Sequence, residues 1–406
     1  MQIFKIFKKT TGCPFCYREI DLQETAFQCS GHGKPGLSRC EEEPDQLRVQ
    51  EFGDTTPVRP AITKKNSDEV LLGHNKMTCP NCGAQSGIRL CPHCHSPLPR
   101  SLQADSPMFG LVGVRNSGKT VYLSVLHNEL VRNIARRFNA SIDTPGGNRG
   151  YTQQLLLNSS NMGGANAQLP AQTAARGNRN AEPAIYEWKY NDGKRLRSTV
   201  FSFYDSAGED LADRAGVESQ QYLKSVNGII LMLDPFTFQE NLTDGIQKKA
   251  LAGGTSDLKN LTTPETVIGN LIEVIRDSQG LKPNKKIKIP IAIVVAKIDA
   301  FFDDLPESSP IRRRSPDGQV FDEQDSLDVH NHMASLMQKW GADNLVRRVD
   351  TEFETYRFFG VSALGAEPDY TSLSVNPRGL LPHRVADPIL WLLAERGFIP
   401  KSEVEK

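Results

Sequence analysis

Eight residues, Gly113-Val114-Arg115-Asn116-Ser117-Gly118-Lys119-Thr120, satisfy the spacing G-x-x-x-x-G-K-[ST] without a mismatch. Such a loop lets backbone N–H groups curl round an anion, and a helix starting behind it adds its dipole. Lys119 is then placed to reach the β- and γ-phosphates of a nucleotide, and the Thr120 hydroxyl to hold Mg²⁺. Asp205 ends a hydrophobic run, and Gly208 follows three residues later. That pair suits a γ-phosphate sensor: the aspartate binds Mg²⁺ through water, and the glycine N–H meets the phosphate until hydrolysis removes it. Asp234 ends another apolar run. It is either a second Mg²⁺-side carboxylate or, in preference, the cap of the turn that Pro235 begins.

Two further strand-like runs lead into Lys297-Ile298-Asp299 and Ser362-Ala363-Leu364. Asp299 can accept hydrogen bonds from guanine N1 and its exocyclic amine, groups that adenine does not present in that way. The Lys297 stem can cover the base, and the Ala363 N–H can meet the guanine carbonyl. The expected nucleotide contacts are therefore Gly113, Asn116, Ser117, Gly118, Lys119, Thr120, Lys297, Asp299, Ser362 and Ala363.

All eight cysteines lie between Cys13 and Cys94. Six form the knuckles Cys13-Pro14-Phe15-Cys16, Cys79-Pro80-Asn81-Cys82 and Cys91-Pro92-His93-Cys94, with Cys29 and Cys40 between the first two. Thiolates spaced in this way hold tetrahedral Zn²⁺, so two four-thiolate sites are expected. Such closed sites leave no open coordination position, and the metal is read as structural. The spacing suggests one ribbon of Cys79, Cys82, Cys91 and Cys94, leaving Cys13, Cys16, Cys29 and Cys40. A cross-braced alternative joins the first knuckle to Cys79 and Cys82, and His32 is a rival to Cys40. His74, His93 and His95 are expected on the module's surface. Thiols concentrated in knuckles point to a reducing cytoplasm rather than to a secreted disulfide framework.

The elements that must position these residues are legible as alternating apolar runs and helical patterns. Strands are expected at 108–114, 184–190, 198–205, 227–233, 289–296 and 356–361, and helices at 120–138, 213–225, 265–279, 325–340 and 387–397. The pattern predicts an α/β fold, a three-layer sandwich round a mostly parallel sheet, preceded by a small zinc-binding module. The expected division is 1–100 for the module and 106–400 for the P-loop domain, with a Pro- and Ser-containing joint between. Polar inserts are expected at about 140–182, 237–262 and 302–322. The last holds Arg312-Arg313-Arg314, read as a solvated face.

The 406 residues balance 48 Lys and Arg against 48 Asp and Glu, so no global basic field points to nucleic acid or an anionic membrane. No apolar run approaches the ~20 residues of a membrane span. Lacking a basic stripe or an aromatic platform, the zinc head is expected to contact protein in preference to nucleic acid.

P-loop, D-x-x-G, A-K-x-D and S-A-L in this order resemble the nucleotide-binding motifs of TRAFAC-class GTPases, which include Ras-like proteins. Leu169-Pro170-Ala171-Gln172-Thr173, Gly228 to Pro235 and Asp387-Pro388-Ile389-Leu390-Trp391-Leu392 are similar to the bacterial double-GTPase family. In that family a zinc-ribbon-like head can precede such a domain. The resemblance implies a cytoplasmic switch that binds and hydrolyses GTP with Mg²⁺, working with a protein partner in a bacterial multi-component signalling or conflict system. It also implies a switch threonine, Thr173 in preference to Thr144, ordered with Gly208 against the γ-phosphate. Two positions depart from the Ras-like pattern: Ala296 replaces Asn or Thr, and Glu209 replaces the water-orienting Gln. A carboxylate beside the γ-phosphate implies slow hydrolysis without an activator, with Arg115 as a substitute arginine in cis. Three alternatives stay open, a nucleotide-gated scaffold with negligible turnover, an ATP-using P-loop protein, and a zinc head that reads nucleic acid with the nucleotide as regulator.

Overall fold

The computed structural model describes residues 10–63, 76–102, 106–113, 117–144, 150–163, 167–170, 183–191, 196–205, 225–244, 247 and 263–404. Seven strands make the central sheet: β1 (Phe109–Gly113), β2 (Ala140–Asp143), β3 (Ala184–Asn191), β4 (Leu196–Asp205), β5 (Gly228–Leu233), β6 (Ile291–Val295) and β7 (Tyr356–Gly360). Their order is β2-β3-β4-β1-β5-β6-β7. β4, β1, β5, β6 and β7 run parallel, while β2 and β3 add an antiparallel edge. β1, β5 and β6 are apolar and buried along their whole length, as strands covered on both faces must be.

Alternation along β5 builds both cores. Ile229, Leu231 and Leu233 face α3 (Pro264–Gln279), α4 (Glu323–Lys339) and α5 (Asp343–Glu352), packing with Leu271, Met333 and Leu345. Ile230 and Met232 join the opposite core, to which α1 (Lys119–Asn128), α2 (Gly150–Gly163) and α6 (Asp387–Glu395) contribute Leu126, Leu155 and Trp391. α3 shows why such a helix starts and stops where it does. Thr263 caps it by accepting from the Thr266 N–H, Pro264 opens its first turn, and Gly280 at φ 58° closes it.

The segment 140–182, expected as a polar insert, contains β2 and α2. Its Asn and Gln residues masked a sparse apolar stripe, Tyr151, Leu155 and Met162, which packs into the core. The helix α5 was likewise absent from the expected elements. Residues 213–224 of an expected helix lie outside the described residues. The arginine run proves mixed: Arg314 is exposed, but Arg312 donates to the carbonyls of Phe302 and Leu305, and Arg313 pairs with Asp328 at 2.8 Å. Among the described residues no helix is long and apolar enough to cross a membrane.

N-terminal to the sheet, short ribbons carry the cysteines. Thr10–Gly12 pairs with Glu19–Asp21, Met77–Thr78 with Gln85–Ser86, and Ala26–Gln28 lies between Ala61–Ile62 and Arg89–Leu90. This module packs on the sheet itself. Ala184, Tyr186 and Trp188 of β3 face the α1 side, while Ile185, with Val200 of β4, clusters with Phe15, Ile20, Leu98 and Leu102.

Candidate functional site

Parallel pairing brings the carboxyl ends of five strands to one edge, where a ligand crevice forms in such sheets. In register, Leu111 pairs with Asp205, Gly113 with Met232, Leu233 with Val295, and Val295 with Gly360. The P-loop leaves β1 at Gly113 and enters α1 at Gly118, whose φ of 82° suits glycine. A Cβ at Gly113 would stand 2.7 Å from the Met232 carbonyl oxygen, so the strand crossing there also demands glycine. Lys119 is buried and donates to the Gly113 carbonyl at 2.8 Å, spanning the loop it closes. Ser117 is buried, and the Thr120 carbonyl accepts from the Ser124 hydroxyl one turn on. Asn116, Thr173, Gly208 and Glu209, like Arg115, lie outside the described residues, as does the side chain of Asp205.

On the neighbouring strands the other expected contacts converge. Lys297 adopts φ 54° and opens a 3₁₀ turn, Ile298–Asp304, that carries Asp299. The Ile298 N–H donates to Val361, tying this turn to the end of β7. Ser362 is buried, accepts from the Gly365 N–H at 2.7 Å, and its hydroxyl favours the ionised Asp299 carboxyl. Ser362 and His383 exchange two backbone hydrogen bonds of 2.8 and 3.0 Å, so the loop carrying Ala363 is braced from outside. Burial pushes the Asp299 carboxyl above the usual aspartate range, against the Ser362 bond and the Lys297 charge. The Asp234 carboxylate caps its turn at the Phe236 N–H and receives the Lys297 ammonium at 2.7 Å. Of the two expectations for Asp234, the cap is the one observed.

The eight thiols form two clusters, Cys13, Cys16, Cys91 and Cys94, and Cys29, Cys40, Cys79 and Cys82. This corrects both expected groupings. The strand leading to Cys29 runs antiparallel to the one leading to Cys91, so these cysteines emerge at opposite ends of one ribbon. Cys29 therefore meets the middle knuckle, and the last knuckle returns to the first. Cys40 is a member and exposed His32 is not. Sγ separations are 3.9 Å for Cys13 and Cys94, 3.8 Å for Cys16 and Cys91, 3.4 Å for Cys29 and Cys82, and 3.7 Å for Cys40 and Cys79. A tetrahedron with Zn–S bonds of ~2.3 Å has edges of about 3.8 Å, so both clusters fit the ion. Each knuckle turns in the same way. Tyr17, Gly83 and His95, directly after the second cysteine, have positive φ and donate an N–H to the carbonyl of the first.

The profile of Double-GTPase 2 matches residues 107–341. The chain belongs to the Double-GTPase 2 family. The chain is 24% identical over 336 residues to SaeC of Mycolicibacterium smegmatis, whose name describes putative ESX-1 scaffolding and assembly. That match covers 77% of this chain and 81% of SaeC. Among solved structures, the chain is similar to the signal recognition particle receptor SRβ–GTP/SRX complex of Chaetomium thermophilum, with 14% identity, TM-score 0.27, and coverage of 65% and 93%. It is also similar to the GTP-bound GTPase-like domain of S. cerevisiae Ski7, with 13% identity, TM-score 0.32, and coverage of 75% and 52%.

In this Double-GTPase 2 chain, several site residues carried no sequence signal. Tyr370 donates to Glu367 at 3.1 Å and feels the charges of both Asp234 and Asp299. His383, which holds Ser362 by two backbone hydrogen bonds, lies 21 residues downstream of it, and Arg384 follows. The segment 167–170, just ahead of Thr173, is fastened to 373–375 by the Leu169 N–H donating to the Leu373 carbonyl. Of the expected surface histidines, His93 is exposed and contacts the Glu19 carbonyl, whereas His95 is half-buried and pairs with Asp45. His74 is outside the described residues.

Proposed function

We propose that this Double-GTPase 2 protein is a switch that binds GTP·Mg²⁺ and hydrolyses it slowly, with two structural zinc ions in its N-terminal module. The observation that carries this reading is the convergence of Lys119 with Lys297, Asp299 and Ser362 at one sheet edge. Gly113, Asn116, Ser117, Gly118, Lys119 and Thr120 would cradle the phosphates. Thr120, Thr173 and Asp205 would serve the Mg²⁺ side, and Gly208 and Glu209 the γ-phosphate. When bound, Mg²⁺ would neutralise charge on the phosphates. Ser362 and the Ala363 N–H would flank the base, and Asp299 would read it. The eight cysteines would hold zinc.

The working environment is proposed as the cytoplasm and the readout as a protein partner, with an activator supplying the missing catalytic group. The name of SaeC, from scaffolding and assembly, supports a role in a multi-protein system. It equally supports the second reading, a nucleotide-gated scaffold with negligible turnover, which Glu209 at the Gln position also favours. Phosphate release over many turnovers separates the two.

Calorimetry with GTP and ATP in Mg²⁺ tests the base reading. Asp299→Ala removes the acceptor of two charge-assisted hydrogen bonds, and should cost GTP at least about 100-fold in affinity while leaving ATP unchanged. Equal binding of both nucleotides by the unaltered protein would leave a P-loop protein without guanine selectivity. The ionised carboxylate is the acceptor, so the preference for GTP should fade on acidification at a higher pH than an exposed aspartate would give. In the absence of nucleotide, ionising Asp299 lowers stability as pH rises from the ordinary aspartate value to the raised one. Affinities for GTP and ATP measured across that range check it. A preference that persists below the ordinary aspartate range would exclude Asp299 as the reader.

A further inference from the structure

Asp234 has no role in the reading above, yet it is among the best-held carboxylates near the crevice. It stands at the carboxyl end of β5, beside the end of β6, with its side chain 9% exposed. One oxygen accepts from the Phe236 N–H at 3.1 Å and the other from the Lys297 ammonium at 2.7 Å. Its carbonyl accepts from the Thr237 hydroxyl at 2.7 Å, and Pro235 stiffens the turn. Asp234 is thus a fixed post and Lys297 the group tied to it.

Lys297 needs such a tie. It holds a left-handed backbone that residues with a Cβ disfavour, directly after Ala296, whose side chain can make no hydrogen bond. Its ammonium lies 5.8 Å from the centre of the Phe236 ring, so ring and carboxylate hold it from two sides. Two residues on is Asp299, a second carboxylate whose ionisation the Lys297 charge favours. Of these two carboxylates, Asp234 is the one in contact with the Lys297 ammonium.

We propose that Asp234 is a positioning residue for base recognition: by holding the Lys297 ammonium it keeps that cation off Asp299 and leaves the Asp299 carboxylate open to guanine. The inference rests on the guanine reading of Asp299. Releasing Lys297 puts an internal cation in competition with the N1–H and amine of the base. Asp234 also braces the base-reading turn across two strand ends, where Ala296 adds only its backbone N–H to the Leu233 carbonyl at 3.0 Å. Phosphate binding, at the end of β1, does not depend on this pair.

The test uses the full-length, zinc-loaded protein and calorimetry with GDP and ADP. Asp234→Asn keeps the shape and the Phe236 cap, and should weaken GDP by about tenfold or more while leaving ADP unchanged. Adding Lys297→Met to that variant removes the competing cation and should restore part of the GDP preference. Melting temperature and zinc content report whether each variant is folded. A GDP preference unchanged by Asp234→Asn overturns the inference alone. So does an equal loss of GDP and ADP, or a double variant no better than the single one. Unaltered protein that binds GDP and ADP alike overturns the guanine reading and this inference with it.

Discussion

Stripping zinc from the full chain is expected to unfold the cysteine module and to lower the melting temperature of the sheet domain as well. The reason lies in what the module's cores are made of. Cys13, Cys16, Cys91 and Cys94 are themselves core residues, packed with Phe15, Ile20, Leu98 and Leu102. The second cluster adds little beyond its own cysteines, Phe27, Ile62, Met77 and Ala84. Structural zinc in small finger peptides contributes ~10–16 kcal/mol, comparable to the whole stability of a typical domain at about 5–15 kcal/mol. Apolar burial on this scale cannot replace it. The two sites should differ in reach. The first touches Ile185 and Val200 of the sheet, and Tyr17, after Cys16, contacts the Ser202 hydroxyl and accepts from Ser225. Cys91→Ser should therefore destabilise the sheet domain, while Cys79→Ser should act within the module. Metal analysis should give two zinc ions per chain, one for each cluster. A zinc-free protein with the same melting curve would sink the structural-metal reading.

Strands β1, β5 and β6 were legible in the sequence because each is a dense apolar run buried in a sheet covered on both faces, and β3, β4 and β7 because aromatic and β-branched residues recur along them. The helices α1, α3, α4 and α6 declared themselves by apolar spacing, caps and breakers such as Thr263-Pro264 and Gly280. What escaped was polar on average: α2 presents Tyr151, Leu155 and Met162 among Asn, Gln and Ser, and its stripe acquires meaning only against β3. β2 is a short edge strand with a single buried residue, Ile142. No periodicity identifies such a strand.

The site was legible to the same depth. Gly113, Gly118 and Lys119 are bound by covalent spacing, since a phosphate loop is a local object and its chemistry fits in eight residues. The thiol partners were not, because partnership depends on which ribbon ends point together. The spacing of Cys82 and Cys91 is short enough for one ribbon, but antiparallel pairing of Ala26–Gln28 with Arg89–Leu90 sends the last knuckle the other way. The Lys297–Asp234 pair is similar. Each residue attracts notice alone, and only the adjacency of β5 and β6 makes them one unit.

The same distinction, between a loop and what braces it, gives the second large effect. Arg384→Met should lower the melting temperature on the order of 10 °C and loosen guanine selectivity, though Arg384 touches no expected nucleotide contact. Its guanidinium is 2% exposed and spends every face: Asp387 at 2.5 Å, Asp325 at 2.6 Å and the Arg313 carbonyl at 2.9 Å. A buried arginine of this kind adds little by its presence relative to a well-packed apolar residue. Removing it alone takes the cation from buried Asp387 and leaves Asp325 only the Arg313 guanidinium at 3.6 Å, which costs about 3 kcal/mol. The loss should reach the proposed base site because His383, the preceding residue, holds Ser362 by two backbone hydrogen bonds and the Ile311 carbonyl by its ring. Changing Asp325 to Asn in the Arg384→Met background should recover part of the stability, since it removes one stranded charge. Arg314→Met, on the exposed end of the same basic run, should stay within about 0.5 kcal/mol of the unaltered protein. Thermal melts with GDP and ADP titrations on the three variants decide the matter. If Arg384→Met melts with the unaltered protein, the buried network does not brace the loop. If it melts early but keeps full guanine preference, the bracing stops short of Ser362.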